Sequence, residues 1–310
     1  MLYDKPATSV EDQIANLQVR GLVVNDVPQA IRHMRAIGYY RLSAYWYFFE
    51  DEPEAGQTRS KKFSADTTWE QVIRLYAFDR RLRGLVMEAI ERFEVAVRSA
   101  WTNRLTLARG SHAYLDPGQF NNPYEHASMV AQVARSVSKS SETFVKHYEK
   151  KYTSPYIPPL WAVCETMTIG QLSVWVASTK DNAVRSMVAK DMNLPTKEVL
   201  ENVLQIMSLT RNICAHHGRF WNRRLVKRLM LIKRLTAEFA VIEPVRGQLQ
   251  PDNRPYNVLV VLIYILRQQG DVSDWHQGLV SLLETATDGQ RREMGFPDDW
   301  RDRASWKAPA

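Results

Sequence analysis

The sequence predicts an all-α protein with a long central helix and additional N-terminal and C-terminal helices. Apolar residues recur at helical spacing through most segments. The longest periodic stretch, from Thr67 or Thr68 to about Ala108, contains no proline and a single glycine. Neither an internal repeat nor a convincing order of strands is visible. A chain of 310 residues, 45% apolar, has room for one large core or two modest ones.

Residues 1 to 8 read as extended. Ser9 opens a short helix, with Glu11 and Asp12 in the first turn, where carboxylates favour the positive helix end. Gly21 ends it. Asp26 caps a second helix, with Pro28 in its first turn and Gly38 as terminator. The aromatic run GYYRLSAYWYFFE, residues 38 to 50, places Leu42, Tyr45, Trp46 and Phe49 on one helical face. Its rings could stack bases, but core packing is the simpler use. Residues 51 to 66 are polar, with Pro and Gly, and read as a loop.

The long stretch then carries Val72, Leu75, Leu82, Val86, Ile90, Phe93 and Val97 at helical positions. One helix of that length would run about 60 Å; a break at Gly84 is the alternative. Its other face holds Asp79, Arg80, Arg83, Glu88, Glu91, Arg92, Glu94 and Arg98. These read as a solvated face with i,i+4 charge pairs. The sharper reading is that some, such as Arg92 and Glu94, pack against an arginine site further along and orient it.

Residues 110 to 123 form a loop, and a helix follows from about Tyr124 to Lys150. A Pro-rich connection spans 151 to 159. Leu160 to Ser178 reads as a buried helix with Trp161, Cys164, Met167, Leu172 and Trp175, which Gly170 could interrupt. Glu165 sits within this apolar piece, so a partner such as an arginine is expected for it. A short helix covers 181 to 191, and Pro195 begins the next one. Arg223 to Glu238 reads as a basic helix, 243 to 255 as loop, and 256 to 268 and 272 to 286 as two helices. The tail from Thr287 is expected to wrap the surface, with Trp300 and Trp306 as anchors. The organisation expected is an N-terminal segment, 1–66, a helical domain, 67–242, and C-terminal helices with a tail, 243–310.

Net charge is +7, from 28 Arg and 13 Lys against 34 acidic residues. This favours a polyanionic partner, nucleic acid first, and arginine is the better phosphate reader. Two cysteines, Cys164 and Cys214, imply no disulfide framework and fit a reducing cytosol. Asp4 and Lys5 interrupt any signal-peptide pattern. The most apolar piece, Tyr256 to Leu266, is too short to span a bilayer. A cytoplasmic protein with no membrane partner is the expectation.

Chemistry concentrates in LENVLQIMSLTRNICAHHGRFWNRR, residues 200 to 224. An apolar face (Val203, Leu204, Met207) runs into Arg211, Asn212, His216 and His217. Arg211 offers a fixed charge and a planar donor fork for phosphate oxygens. His216 can exchange a proton near neutral pH. Asn212 and His216 are four apart and share a helical face, and Gly218 suits the C′ position of a helix ending there. Spacing alone is weak evidence: in a chain with this many Arg and His, chance predicts roughly two Arg–His pairs with four to six residues between them. Arg211 is the only arginine that fits, with His216 or His217. Arg219, Arg223, Arg224, Lys227 and Arg228 follow, either as a solvated face or as a track for RNA backbone. Cys214, His216 and His217 have no second ligand pair at zinc spacing, so neither a metal nor another cofactor is expected. Cys214 is expected on the core face.

Five ordered blocks add a resemblance. They are YDKPATSVEDQIANLQVRGL, IGYYRLSAYWYFF, YAFDRRLRGLVMEAIERFEVAVRS, PPLWAVCETMTIGQLS and LTRNICAHHGRFWNRRL, spanning about residues 3 to 235. Together they resemble the Abi-like proteins of bacterial abortive infection, the AbiD/AbiF group. The resemblance implies an HEPN-type helical bundle whose signature is Arg, four to six residues, then His. It implies a metal-independent ribonuclease, a homodimer with two motifs face to face, and a toxin restrained by a small non-coding RNA.

On that reading Arg211, Asn212 and His216 are catalytic, with His217, Glu165, Arg92 and Glu94 in support. His216, with an unperturbed pKa of about 6.5, would serve as base or acid, worth about 10²–10⁴-fold. Arg211 would neutralise charge growing on the phosphoryl oxygens. The expected product is a 2′,3′-cyclic phosphate, so DNA should survive. The alternatives are a non-catalytic RNA-binding regulator with a degenerate site and, more weakly, a helical DNA-binding repressor. A purely structural Arg211, paired with Glu165 or Glu94, is the plainest alternative.

Overall fold

The computed structural model describes the chain except residues 1, 3–5, 54–59, 246–247, 271 and 309–310. Its backbone divides into two compact units, Met1–Arg81 and Leu82–Ala310. Thirteen α-helices, seven short 3₁₀ turns and one small hairpin account for the regular structure among the described residues. The all-α expectation holds.

The first unit contains α1 (Val10–Val19), α2 (Val27–Ile37) and α3 (Tyr39–Trp46). Ser9 accepts the Asp12 amide at 3.0 Å and Asp26 accepts the Gln29 amide at 2.8 Å, so both expected N-caps form. Gly38 joins α2 to α3 at φ 91°, a conformation that favours glycine. One face of the aromatic run is core: Leu42, Tyr45 and Trp46 are buried, and Tyr45 donates its hydroxyl to buried Asp79 at 2.7 Å, while Tyr40 and Tyr47 are exposed. Phe49 is only half-buried, because the helix tightens into a 3₁₀ turn at Tyr47–Phe49.

Helix α4 (Trp69–Arg109) starts in this unit and continues into the second. Thr68 and Gln71 form its capping box, each side chain meeting the other's amide, at 3.3 and 2.8 Å. Gly84 does not break it. No atom lies within 4 Å of where a Cβ would stand there, so the glycine is an exposed helical position.

The second unit continues with α5 (Pro123–Lys139), α6 (Thr143–Lys151), α7 (Leu160–Val163), α8 (Ile169–Ser178), α9 (Asn182–Asp191) and α10 (Lys197–Ala215). It closes with α11 (Pro255–Gln269), α12 (Ser273–Glu284) and α13 (Asp288–Glu293). Helix α10 packs on α8 and α9. Helix α11 is buried over most of its surface, from Tyr256 to Leu266. The tail is anchored as expected: Trp300 and Trp306 are buried with ring centroids 5.3 Å apart, and Trp306 donates to the Tyr256 hydroxyl at 3.2 Å.

Several expectations are corrected. The helix expected over 124–150 is two, broken at Ser140, whose extended backbone ends α5. The piece 160–178 is also two helices. Thr168 and Gln171 build a capping box that restarts the chain as α8, and Gly170 lies inside that helix, where its missing Cβ leaves room for Ser208 of α10. Trp161 is 54% exposed rather than buried. Pro195 precedes the N-cap Thr196 and so stands outside α10.

Residues 223–238 form no α-helix, only a 3₁₀ turn at Lys233–Leu235. Phe220, Leu225, Leu229, Ile232, Leu235 and Phe239 are buried at near-helical spacing, but the backbone bonds elsewhere. Asn202 of α10 donates to the Arg228 carbonyl at 3.0 Å and accepts the Met230 amide at 2.8 Å. Leu225 bonds the backbone and side chain of Asn253 at 2.9 and 2.6 Å. These partners replace the helical ladder. The loop expected over 243–255 instead includes an antiparallel hairpin, β1 (Val241–Val245) with β2 (Gln248–Pro251).

Candidate nucleic-acid site at the end of helix α10

Helix α10 owes its core face to Val199, Leu200, Val203, Leu204, Ile206, Met207 and Cys214, all buried. Thr196 caps its start by accepting the Val199 amide at 3.3 Å. Its last turn carries Arg211 and Asn212, and His216 is its C-cap.

The end is closed by a Schellman motif. The Gly218 amide reaches the Ile213 carbonyl at 2.8 Å, and the His217 amide reaches Cys214 at 3.0 Å. His217, not Gly218, takes the left-handed C′ position, at φ 57°. Gly218 is needed one residue later for a different reason: a Cβ there would stand 3.1 Å from the Ile213 carbonyl oxygen. A non-glycine residue at positive φ is uncommon, although histidine is among the side chains enriched there. The backbone thus turns sharply with two consecutive imidazoles on its outer side.

Arg211 is half-buried, while Asn212, His216 and His217 are exposed. No carboxylate lies within 4.0 Å of Arg211 among the described residues; its guanidinium donates to the side-chain Oδ1 of Asn212 at 3.4 Å. Beneath it, Thr210 is fully buried and its hydroxyl has no hydrogen-bond partner among the described residues. Asn222 Oδ1, in the segment that follows the helix, is also buried and unsatisfied. Cys214 is buried, as expected of a core residue.

The supporting acids gather around an arginine that sequence reasoning left on the solvated face. Arg98 pairs with Glu94 one turn back on α4, meets Glu165 at 3.7 Å and donates to the Met167 carbonyl at 2.5 Å. Glu165 therefore has an arginine partner, but it is 57% exposed rather than buried. Burial raises the Glu94 carboxyl above its ordinary value, while the charges of Arg98 and Arg211 pull it down. Arg211 is thus within electrostatic reach of Glu94 without forming an ion pair with it. Arg92 lines a different cleft, with Leu266, Gln269 and Gly270. The i,i+4 spacing of Glu94 and Arg98 was the available signal for this cluster.

Beyond the turn, Arg219 is half-buried and Arg223, Arg224, Lys227 and Arg228 are exposed. Lys227 donates to Gln205 of α10 at 2.7 Å, and Asn202 holds the Arg228 carbonyl, so this basic segment is tied to the helix that carries Arg211. Fixed guanidinium and imidazole groups at an exposed helix end, followed by a row of exposed cations, can grip and neutralise phosphodiesters.

Among the described residues no group of three or more His, Cys, Asp or Glu could hold a metal ion. None of the helices described is long and apolar enough to cross a membrane. No curated protein and no solved structure matches the chain. The sequence pattern of the Abi-like protein family matches residues 32–222, which runs from α2 through the turn after α10 and includes every residue from Arg211 to Asn222. That is more than half of the chain, and the chain belongs to the Abi-like protein family.

Proposed function

We propose that this chain is an abortive-infection toxin of antiphage defence that cuts RNA without a metal, and that a small non-coding RNA restrains it. The observation that carries this is half-buried Arg211 beside exposed Asn212 and His216 at the capped end of α10. Family membership supports the defence role.

In the reaction proposed, the ribose 2′-OH attacks the adjacent phosphorus and the bond to the 5′-oxygen breaks. His216 takes the 2′ proton or supplies one to the leaving 5′-oxygen. Arg211 neutralises the phosphoryl oxygens as the phosphorane forms, and Asn212 holds the imidazole or a phosphate oxygen. The products are a 2′,3′-cyclic phosphate and a 5′-hydroxyl. Acid and base together need two imidazoles. His217 or the His216 of a second copy supplies the other, and a homodimer with a composite site is the arrangement we favour. The row Arg219, Arg223, Arg224, Lys227 and Arg228 holds the RNA backbone.

That exposed row also favours a second reading, a non-catalytic RNA-binding regulator. Incubating the purified chain with RNA in EDTA separates the two. Cleavage lost in both Arg211→Ala and His216→Ala supports the nuclease. Salt-sensitive RNA binding that survives His216→Ala, with no RNA cut, supports the regulator.

A further inference from the structure

Eight of the nine tryptophans are buried, and Trp161 is 54% exposed. It lies on a cleft of about 360 Å³ whose other wall is a mostly polar stripe of α4, with Val95 beside Arg98, Ser99, Asn103 and Thr106, and whose rim holds Glu165. That volume falls in the range of small-molecule pockets, about 300–1,000 Å³. Burying rings is favourable, so a tryptophan left on a cleft wall beside hydrogen-bonding groups is suited to a ligand that is flat, apolar on its faces and polar at its edges. Arg98 Nε is buried there without a hydrogen-bond partner among the described residues, although its terminal nitrogens are engaged. Ser99 and Asn103 are exposed and Glu165 is 57% exposed, so the polar groups are open to an incoming edge.

We propose that this cleft is a base-binding subsite for single-stranded RNA, with Trp161 as the stacking platform and Glu165 as the group that selects guanine. The selection follows from edge chemistry. A carboxylate only accepts hydrogen bonds, and guanine presents two adjacent donors, N1–H and the N2 amine, to a two-oxygen acceptor. Adenine and cytosine present one exocyclic amine and uracil one ring N–H. Stacking on tryptophan is indifferent to the base, so preference must come from the rim. Arg98 balances the charge that the Glu165 carboxylate brings near a phosphate chain. Glu94 pairs with Arg98 beside the subsite, and the charges of Arg211 and Glu165 both act on its carboxyl. The inference deepens the RNA-cleavage reading and rests on RNA being the ligand.

The test is binding, read without turnover. Low acrylamide quenches accessible tryptophan, which in this chain is Trp161. Guanosine 5′-monophosphate should protect that emission at least tenfold more tightly than adenosine 5′-monophosphate, and inorganic phosphate should not protect it. Trp161→Leu should abolish the signal, and Glu165→Gln should bring the two nucleotides within about twofold of each other. Ser99→Tyr, which fills the cleft from an exposed position on the opposite wall, should block protection with Trp161 intact. Equal protection by both nucleotides, or by phosphate alone, overturns the proposal. So does protection that rises with protein concentration without nucleotide, which would give the ring to a second copy. Guanine-selective protection in a protein that cuts no RNA would sink the nuclease reading and leave this one. RNA cleavage with no protection would do the reverse.

Discussion

Gly218 donates its amide to the carbonyl of Ile213 at 2.8 Å, and with the His217 bond to Cys214 it sets where the backbone of the two α10 histidines stands. It closes the helix across His217, which is held at φ 57°. A helix end pinned this way frays less than one left to solvent. The proposed chemistry needs that, because proton transfer tolerates little drift between donor and acceptor.

Gly218→Ala should destabilise the protein by about 1 kcal/mol, since the added Cβ presses on backbone rather than on a movable side chain. His217→Gly should do the opposite, relieving about 0.5–1 kcal/mol of left-handed strain. Thermal melts check both. For a unit of this size each kcal/mol moves the midpoint about 2–4 °C. Equal midpoints for the wild type and Gly218→Ala would show that the closure carries no strain.

Arg211→Lys should cut RNA cleavage about 10²–10³-fold, the usual cost of losing a transition-state donor, because an ammonium cannot present two parallel N–H groups. Folding should be spared: Arg211 is half-buried and has no ion pair within 4.0 Å among the described residues to lose. A Lys variant that cuts RNA at the wild-type rate would show that Arg211 acts only as a point charge. If its melting midpoint fell by many degrees, the arginine would be structural after all.

The capped ends of α1, α2 and α4 were legible from Ser9, Asp26 and Thr68, because a side-chain oxygen three residues ahead of an amide is a local matter. The α10 face was legible for the same reason, since periodicity decides it. The segment after His217 was not. Its buried residues repeat as a helix would, yet Asn202 and Asn253 bond its backbone from far along the chain, and no local pattern reports that. Trp161 misled in the other direction. A tryptophan between Leu160 and Val163 looks like core, and only the packing shows that it faces out. Arg98 was visible as a charge pair but not as the hub joining Glu94 to Glu165, because Glu165 lies far along the chain in the 3₁₀ turn between α7 and α8.

Glu94 should give the stability curve a measurable pH component. Burial raises its carboxyl above the ordinary value of 4.5, outweighing the pull of Arg98 and Arg211. A raised folded-state value means the native protein holds the proton at pH values where the unfolded chain has lost it. The stabilising contribution is therefore full below the ordinary value and is lost as pH rises through the raised one. The midpoint of the wild type minus that of Glu94→Gln should fall across that window and level off above it. A constant difference from about pH 4 to about pH 7 would show that Glu94 titrates normally.

The basic segment should act on RNA through charge alone. Arg223, Arg224 and Arg228 are exposed and Lys227 is anchored to Gln205, so their cationic groups sit on a fixed backbone facing solvent. Each cation that neutralises a phosphate releases about 0.7 of a counterion from single-stranded RNA. Changing Arg223 and Arg224 together to Gln should therefore lower the slope of log affinity against log salt by about 1.4. Binding should weaken alike for RNAs of different sequence, because phosphate contacts carry no base information. Filter binding from low to moderate salt measures both. A slope unchanged in the double variant would leave this row as an ordinary solvated surface and move the RNA path elsewhere. An affinity loss confined to guanine-rich RNA would instead place these arginines at base edges.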